Sequence, residues 1–205
     1  MTWQALLDSL NSDGLNIVYN PINVHISKKS GRTIKYIVVH YTAGSSSKAG
    51  SAEKIRNVWL KREASADYVV DDATIMQVNP DPANYYCWAV GDGKGQFGIY
   101  NKDCISIEMC STLASGTSSS VPNHKGWSIS DAVLNNTLEL VKYLMQVYHI
   151  DADHVIRHYD ATHKMCPGII GWNPGYLYNA STGERTKVKN NEDKWFEFKK
   201  RLTDK

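Results

Sequence analysis

The sequence predicts an α/β fold: one central mixed β-sheet flanked by helices, in a single domain. Three observations carry that expectation. Short β-branched and aromatic runs alternate along the chain with segments of helical periodicity. A length of 205 residues suits one substantial core and is short for two. Hydrophobic residues at 42% against charged residues at 21% give the balance of an ordinary globular chain, which argues against extended disorder.

Taken in order, residues 1–8 (MTWQALLD) read as a short amphipathic helix. This start lacks the basic, apolar and small-residue stages of a secretory signal, so the expectation is synthesis in the cytoplasm without an export route of its own. Strands are expected at 34–40 (IKYIVVH), 67–70 (DYVV), 74–78 (TIMQV), 104–110 (CISIEMC) and 154–158 (HVIRH). Helices are expected at 52–61, at 128–148 and at 191–202. In the second, Val133, Leu134, Leu138, Val141, Leu144, Met145 and Tyr148 recur at helical spacing, with Ser128 as cap and Asp131 three residues on. In the third, Trp195 and Phe198 share one stripe. The Ser/Thr-rich stretch 111–120 reads as an exposed loop, and 171–190 as a long loop. The predicted domain spans 1–205, with its core at about 34–168 and the terminal helices packed on it.

Charge and composition narrow the partners. A formal net charge of +2 gives little steering toward nucleic acid and does not repel an anionic wall polymer. No apolar run approaches the roughly 18–20 residues needed to cross a bilayer, so membrane insertion is not expected. The four cysteines, Cys87, Cys104, Cys110 and Cys166, are expected as thiols, because a chain of this size needs no disulfide staples.

His40 and His158 end two of the expected strands, and Cys166 follows His158 by eight residues in Thr-His-Lys-Met-Cys-Pro-Gly. Ligands at strand ends can converge, because the sheet holds those ends side by side. Two imidazoles and a thiolate suit zinc by softness, and three protein ligands with one open position mark a catalytic site. On the residues alone this signal is weak, since no short-spaced pair such as CxxC or HExxH accompanies it. Strand alternation places Cys104, Ser106, Glu108 and Cys110 on one face and Ile105, Ile107 and Met109 on the other. A carboxylate buried on such a strand needs a partner.

The segments IVVHYTAG (37–44), SADYVVDD (65–72), CISIEMC (104–110) and RHYDATHKMCPG (157–168) resemble the type 2 family of zinc-dependent N-acetylmuramoyl-L-alanine amidases. That family includes phage and prophage endolysins, wall-recycling amidases and peptidoglycan-recognition proteins. The resemblance covers about 34–168 and is most specific in HxxxxxKxCPG. It implies the family's α/β fold, one Zn2+ per chain held by His40, His158 and Cys166, and bacterial peptidoglycan as partner. It implies Glu108 as catalytic base and Lys164 as its electrostatic companion. The tyrosine that the recognition branch uses falls at Ala66 here, which favours Glu108. Trp88, Tyr41 and Thr42 are the candidate substrate contacts; a histidine usual one residue after the tryptophan is replaced by Ala89, and His163 stands where the family commonly has Gly or Arg.

The implied activity is hydrolysis of the amide between the lactyl group of N-acetylmuramic acid and L-alanine, in a phage-type lytic enzyme that reaches the wall through another protein's membrane pore. Three alternatives stay open at this point: a non-catalytic peptidoglycan-binding protein, a cytosolic amidase recycling soluble muropeptides, and a Cys–His hydrolase with Cys166 as nucleophile. The last is disfavoured because Pro167 offers no backbone N–H for an oxyanion hole.

Overall fold

The structure is a computed structural model that describes residues 16–44, 46–90, 97–116, 126–174, 176–178, 185–187 and 192–204. The helix expected at 1–8 lies outside the described residues. Six strands form the central sheet: β1 (Asn16–Tyr19), β3 (Tyr36–Tyr41), β4 (Tyr68–Val70), β5 (Thr74–Gln77), β7 (Cys104–Met109) and β10 (Val155–Arg157), in the order β1-β5-β4-β7-β3-β10. All neighbours are parallel except β4 and β5, so the sheet is mixed as expected.

Parallel strands must be covered on both faces, and the sequence supplies two apolar sets by alternation. Ile37, Val39, Ile105, Ile107 and Met109 point to one face, where α2 (Asp131–Tyr148) and α4 (Asp193–Thr203) cover them through Val141, Leu144, Trp195 and Phe198. On the other face, Val69, Met76 and Cys110 pack under Ala52 and Trp59 of α1 (Ser51–Trp59). His40 and Glu108 belong to this second face, between that patch and the Val38–Cys104–Ala161 cluster.

Several expected boundaries move. The long helix is capped by Ser130, whose side chain accepts from Val133 N, and not by Ser128. Ser128 is instead engaged in β9 (Trp127–Ser128), which pairs with β8 (Thr112–Leu113). Ser111, expected in an exposed loop, is fully buried and donates to the Gly44 carbonyl at 3.3 Å. Two strands outside the expected set, β2 (Ile26–Lys28) and β6 (Tyr85–Cys87), pair antiparallel. Within 171–190, β11 (Tyr176–Tyr178) and β12 (Arg185–Lys187) pair antiparallel where a loop was expected. These strands have two or three residues each, too few for a period to register. Among the described residues no helix is long and apolar enough to cross a membrane.

Candidate metal centre and active-site groove

The site grows from three adjacent parallel strands that end together. In the pairing of β10 on β3, Arg157 is opposite Val39, so the next residue, His158, comes level with His40. On the other side of β3, Glu108 of β7 is directly opposite His40. Three candidate side chains thus stand in a row at the carboxyl ends of parallel strands, where α/β sheets place their ligands.

His158 is not the last residue of a strand, as expected, but the first of a short helix, α3 (His158–Thr162). Arg157 turns the chain there: its N–H and its guanidinium both donate to Asp160, at 2.8 to 2.9 Å on Oδ2 and 2.6 Å on Oδ1. The same guanidinium reaches the Trp172 carbonyl at 2.7 Å and Glu192 at 2.5 Å, tying the turn to the start of α4. The loop after α3 returns Cys166 to the histidines. Tyr159 N donates to the Cys166 carbonyl at 3.0 Å, and Asn173 donates to the Pro167 carbonyl.

The resulting cluster is compact. His40 Nδ1 and His158 Nδ1 lie 3.0 Å apart, Cys166 Sγ lies 3.9 Å from His40 Nδ1, and all three ligand atoms fall within 4.8 Å of one another. Metal–nitrogen bonds of about 2.0–2.1 Å and metal–sulfur bonds of about 2.3 Å give a tetrahedron edges of roughly 3.3–3.6 Å. The cluster therefore fits a single zinc-sized cation with modest adjustment. All three residues are buried. Two buried neutral imidazoles facing through Nδ1 share at most one proton, which leaves lone pairs for a cation to satisfy.

The electrostatics point the same way. Burial, then His158, then Lys164 hold His40 well below the usual histidine range. Burial, then Lys164, pull His158 down to about 3. Both rings are therefore neutral, the form that ligates metal. Burial pushes the Cys166 thiol up to about 12, Glu108 adding to the rise and Lys164 opposing it. A dication reverses that balance, because a coordinating thiol gives up its proton. Glu108 keeps some exposure to the groove, but Oε2 is buried without a hydrogen-bond partner. Burial raises its carboxyl to about 8, against the pull of Lys164 and Arg62.

Around this cluster opens a groove of about 470 Å3. Lys164 is exposed on the loop side, and Trp88, Tyr41 and Thr42 also line the groove. Trp88 is 37% exposed, and its indole N–H donates to Ser27 at 2.9 Å. The Thr42 hydroxyl accepts from Gly44 N at 3.1 Å and Ser111 N at 3.2 Å, so it braces the loop leaving β3. Ala89 lines the groove too, while His163 stacks outside it between Phe97 and Tyr159, with centroids at 4.2 and 5.2 Å. Cys87, Cys104 and Cys110 are buried free thiols away from the cluster, and burial raises the pKa of each. The helix-side wall of the groove, formed by Ile55, Val58, Trp59 and Arg62, carries no motif in the sequence. Arg62 sits in a charged Lys-Arg-Glu run that reads as solvated surface.

Comparison with known proteins places these features in a family. A family profile described as N-acetylmuramoyl-L-alanine amidase matches residues 30–169, more than half of the chain. A probable N-acetylmuramoyl-L-alanine amidase of Bacillus licheniformis is 27% identical over 164 residues, covering 75% of this chain and 42% of that protein. The amidase CwlL of the same organism is 29% identical over 143 residues, covering 65% and 36%. The chain thus spans about two fifths of the length of these curated relatives. Among solved structures, PlyL is 26% identical with a TM-score of 0.54, over 75% of this chain and 86% of that one. A mutant endolysin from Bacillus subtilis shares the fold at a TM-score of 0.62 and 24% identity, over 92% and 99%. The catalytic domain of XlyA does so at 0.57 and 24%, again over 92% and 99%. By the extent of the profile match, and with a site at the point where its residues converge, this chain belongs to the N-acetylmuramoyl-L-alanine amidase family.

Proposed function

We propose that the protein is a zinc-dependent amidase that hydrolyses the bond between the lactyl group of N-acetylmuramic acid and L-alanine of peptidoglycan, as a wall-lytic enzyme released through another protein's pore. The observation that carries this reading is the convergence of His40, His158 and Cys166 beside Glu108 at the floor of an open groove. Those three residues would hold the zinc at the floor of the groove. When bound, zinc supplies Lewis acidity, a nucleophile from water near neutral pH, and positive charge that favours ionised Glu108.

Glu108 takes the proton of the attacking water at Oε2 and delivers it to the departing alanine nitrogen. Its buried, unpartnered oxygen suits a group that must exchange protons near neutrality. Lys164 places an ammonium at the groove, where negative charge develops on the scissile carbonyl oxygen. Trp88 and Tyr41 provide walls for the sugar and lactyl groups, while Thr42 braces the loop leaving β3. Retention of Cys166 favours catalysis over binding alone.

The test is digestion of purified sacculi and of a soluble muropeptide, with assay of newly exposed amino-terminal alanine. Release of alanine termini from sacculi supports the reading. Cleavage of the soluble fragment alone favours a recycling amidase, and wall binding with no new termini favours a binding protein.

A further inference from the structure

The family profile ends at residue 169, and α4 lies beyond it. This helix nevertheless holds both segments that carry the candidate ligands. Toward His158, Glu192 Oε1 accepts from Arg157 Nη1 at 2.5 Å, and the Arg157 guanidinium lies over the Trp195 ring at 5.1 Å. At the start of the same strand, Lys199 Nζ donates to the Val155 carbonyl at 2.7 Å and to the Ala152 carbonyl. Toward Cys166, Trp195 N donates to the Gly171 carbonyl at 3.0 Å, and the Trp172 ring packs on Trp195 and Phe198. Gly171, with φ at +90°, permits that approach, since a Cβ there meets Asp193 Oδ1 and Lys194 Cγ at 2.7 Å.

The two paths meet at Arg157. Its side chain is buried, and three partners take its donors: Asp160 within α3, the Trp172 carbonyl from the loop after Cys166, and Glu192 from the start of α4. Asp160 is local to the turn and fixes its shape, whereas Glu192 fixes where the turn sits against α4. The Glu192 side chain makes no capping bond to its own helix, so its carboxylate serves Arg157 and not α4. Without that carboxylate, Nη1 keeps the Trp172 carbonyl alone among the described residues, and a buried guanidinium loses a counter-charge, which is costly in place. His158 is the next residue along the chain, so a displaced Arg157 passes its shift directly to the imidazole. Coordination geometry tolerates such shifts poorly.

We propose that Glu192 is a positioning residue of the metal centre: through Arg157 it sets the place of His158, so that α4 tunes how tightly the zinc is held. This inference rests on the reading of His40, His158 and Cys166 as zinc ligands and adds to it a control from outside the profile-matched segment.

The experiment measures zinc affinity of the full chain by competition with a chromophoric chelator, together with the visible spectrum of the cobalt-substituted protein. Glu192→Ala is expected to weaken zinc binding by on the order of tenfold and to shift the cobalt bands. Glu192→Gln keeps an acceptor for Nη1 and is expected to restore most of the affinity. Arg201→Ala is the control, because it removes a different bond of the same helix, the one to Asn135 of α2 at 2.6 Å. Its zinc affinity and cobalt spectrum are expected to match wild type. Unchanged affinity in Glu192→Ala, or an equal loss in Arg201→Ala, overturns the role of Glu192 while leaving the metal reading intact. A wild-type chain that binds no zinc and shows no cobalt–thiolate absorption overturns the metal reading itself, and this inference with it.

Discussion

Glu108 stands directly opposite His40 in the parallel pairing of β7 on β3, so both side chains leave the same face of the sheet one strand apart. An imidazole and a carboxylate carried by two adjacent central strands are positioned by the pairing of the sheet itself, the kind of support a site needs if it must hold its geometry within a fraction of an ångström.

Glu108→Gln keeps the shape and removes the proton acceptor. Turnover on wall peptide is expected to fall by on the order of 100-fold or more, while metal content measured by atomic absorption stays at the wild-type level. Near-full activity in this variant contradicts the base assignment.

Lys164→Met keeps much of the volume of the side chain and removes its charge. The expected result is a kcat lower by on the order of 100-fold with KM little changed, since the charge acts on the developing oxyanion. A rise in KM at unchanged kcat places Lys164 in ground-state binding instead.

The pH dependence of stability in the metal-free protein reports on Glu108. Its folded value near 8 lies above its ordinary 4.5, so the folded state holds the proton more tightly than the unfolded chain. The stability associated with the protonated form is fully present below 4.5 and is lost as pH rises through about 8. Urea unfolding of chelated protein at about pH 5, 7 and 9 is therefore expected to show Glu108→Gln gaining on wild type as pH rises. A difference that is flat with pH, or of opposite sign, contradicts the burial of this carboxyl.

Gly168 ends the ligand-bearing loop, and a Cβ there meets the Tyr41 ring, with Cζ at 2.8 Å. Gly168→Ala is expected to cost about 1–3 kcal/mol by overpacking, measured by denaturant unfolding. Adding Tyr41→Ala should recover part of that loss, because the two positions share one clash. Independent, additive effects of the two changes refute the contact.

Much of this architecture was readable from the chain, for identifiable reasons. Six- and eighteen-residue elements such as β3 and α2 carry a full period, and most of their apolar positions are buried or packed against the core. The ligand trio rested on the resemblance, because His40, His158 and Cys166 are separated by 118 and 8 residues and no local pattern joins them. What joins them is register, which pairing fixes and sequence does not display. The Ser130 cap was displaced from Ser128 because a two-residue strand claims the earlier serine. Arg62 was invisible because its charged neighbours mimic ordinary surface, and only the fold turns it to the groove.

Metal analysis joined to an amidase assay, before and after chelation, tests the central claim most directly. One zinc per chain is expected, with activity abolished when the metal is stripped and restored on its return. Protein that releases alanine termini undiminished after complete removal of metal contradicts it.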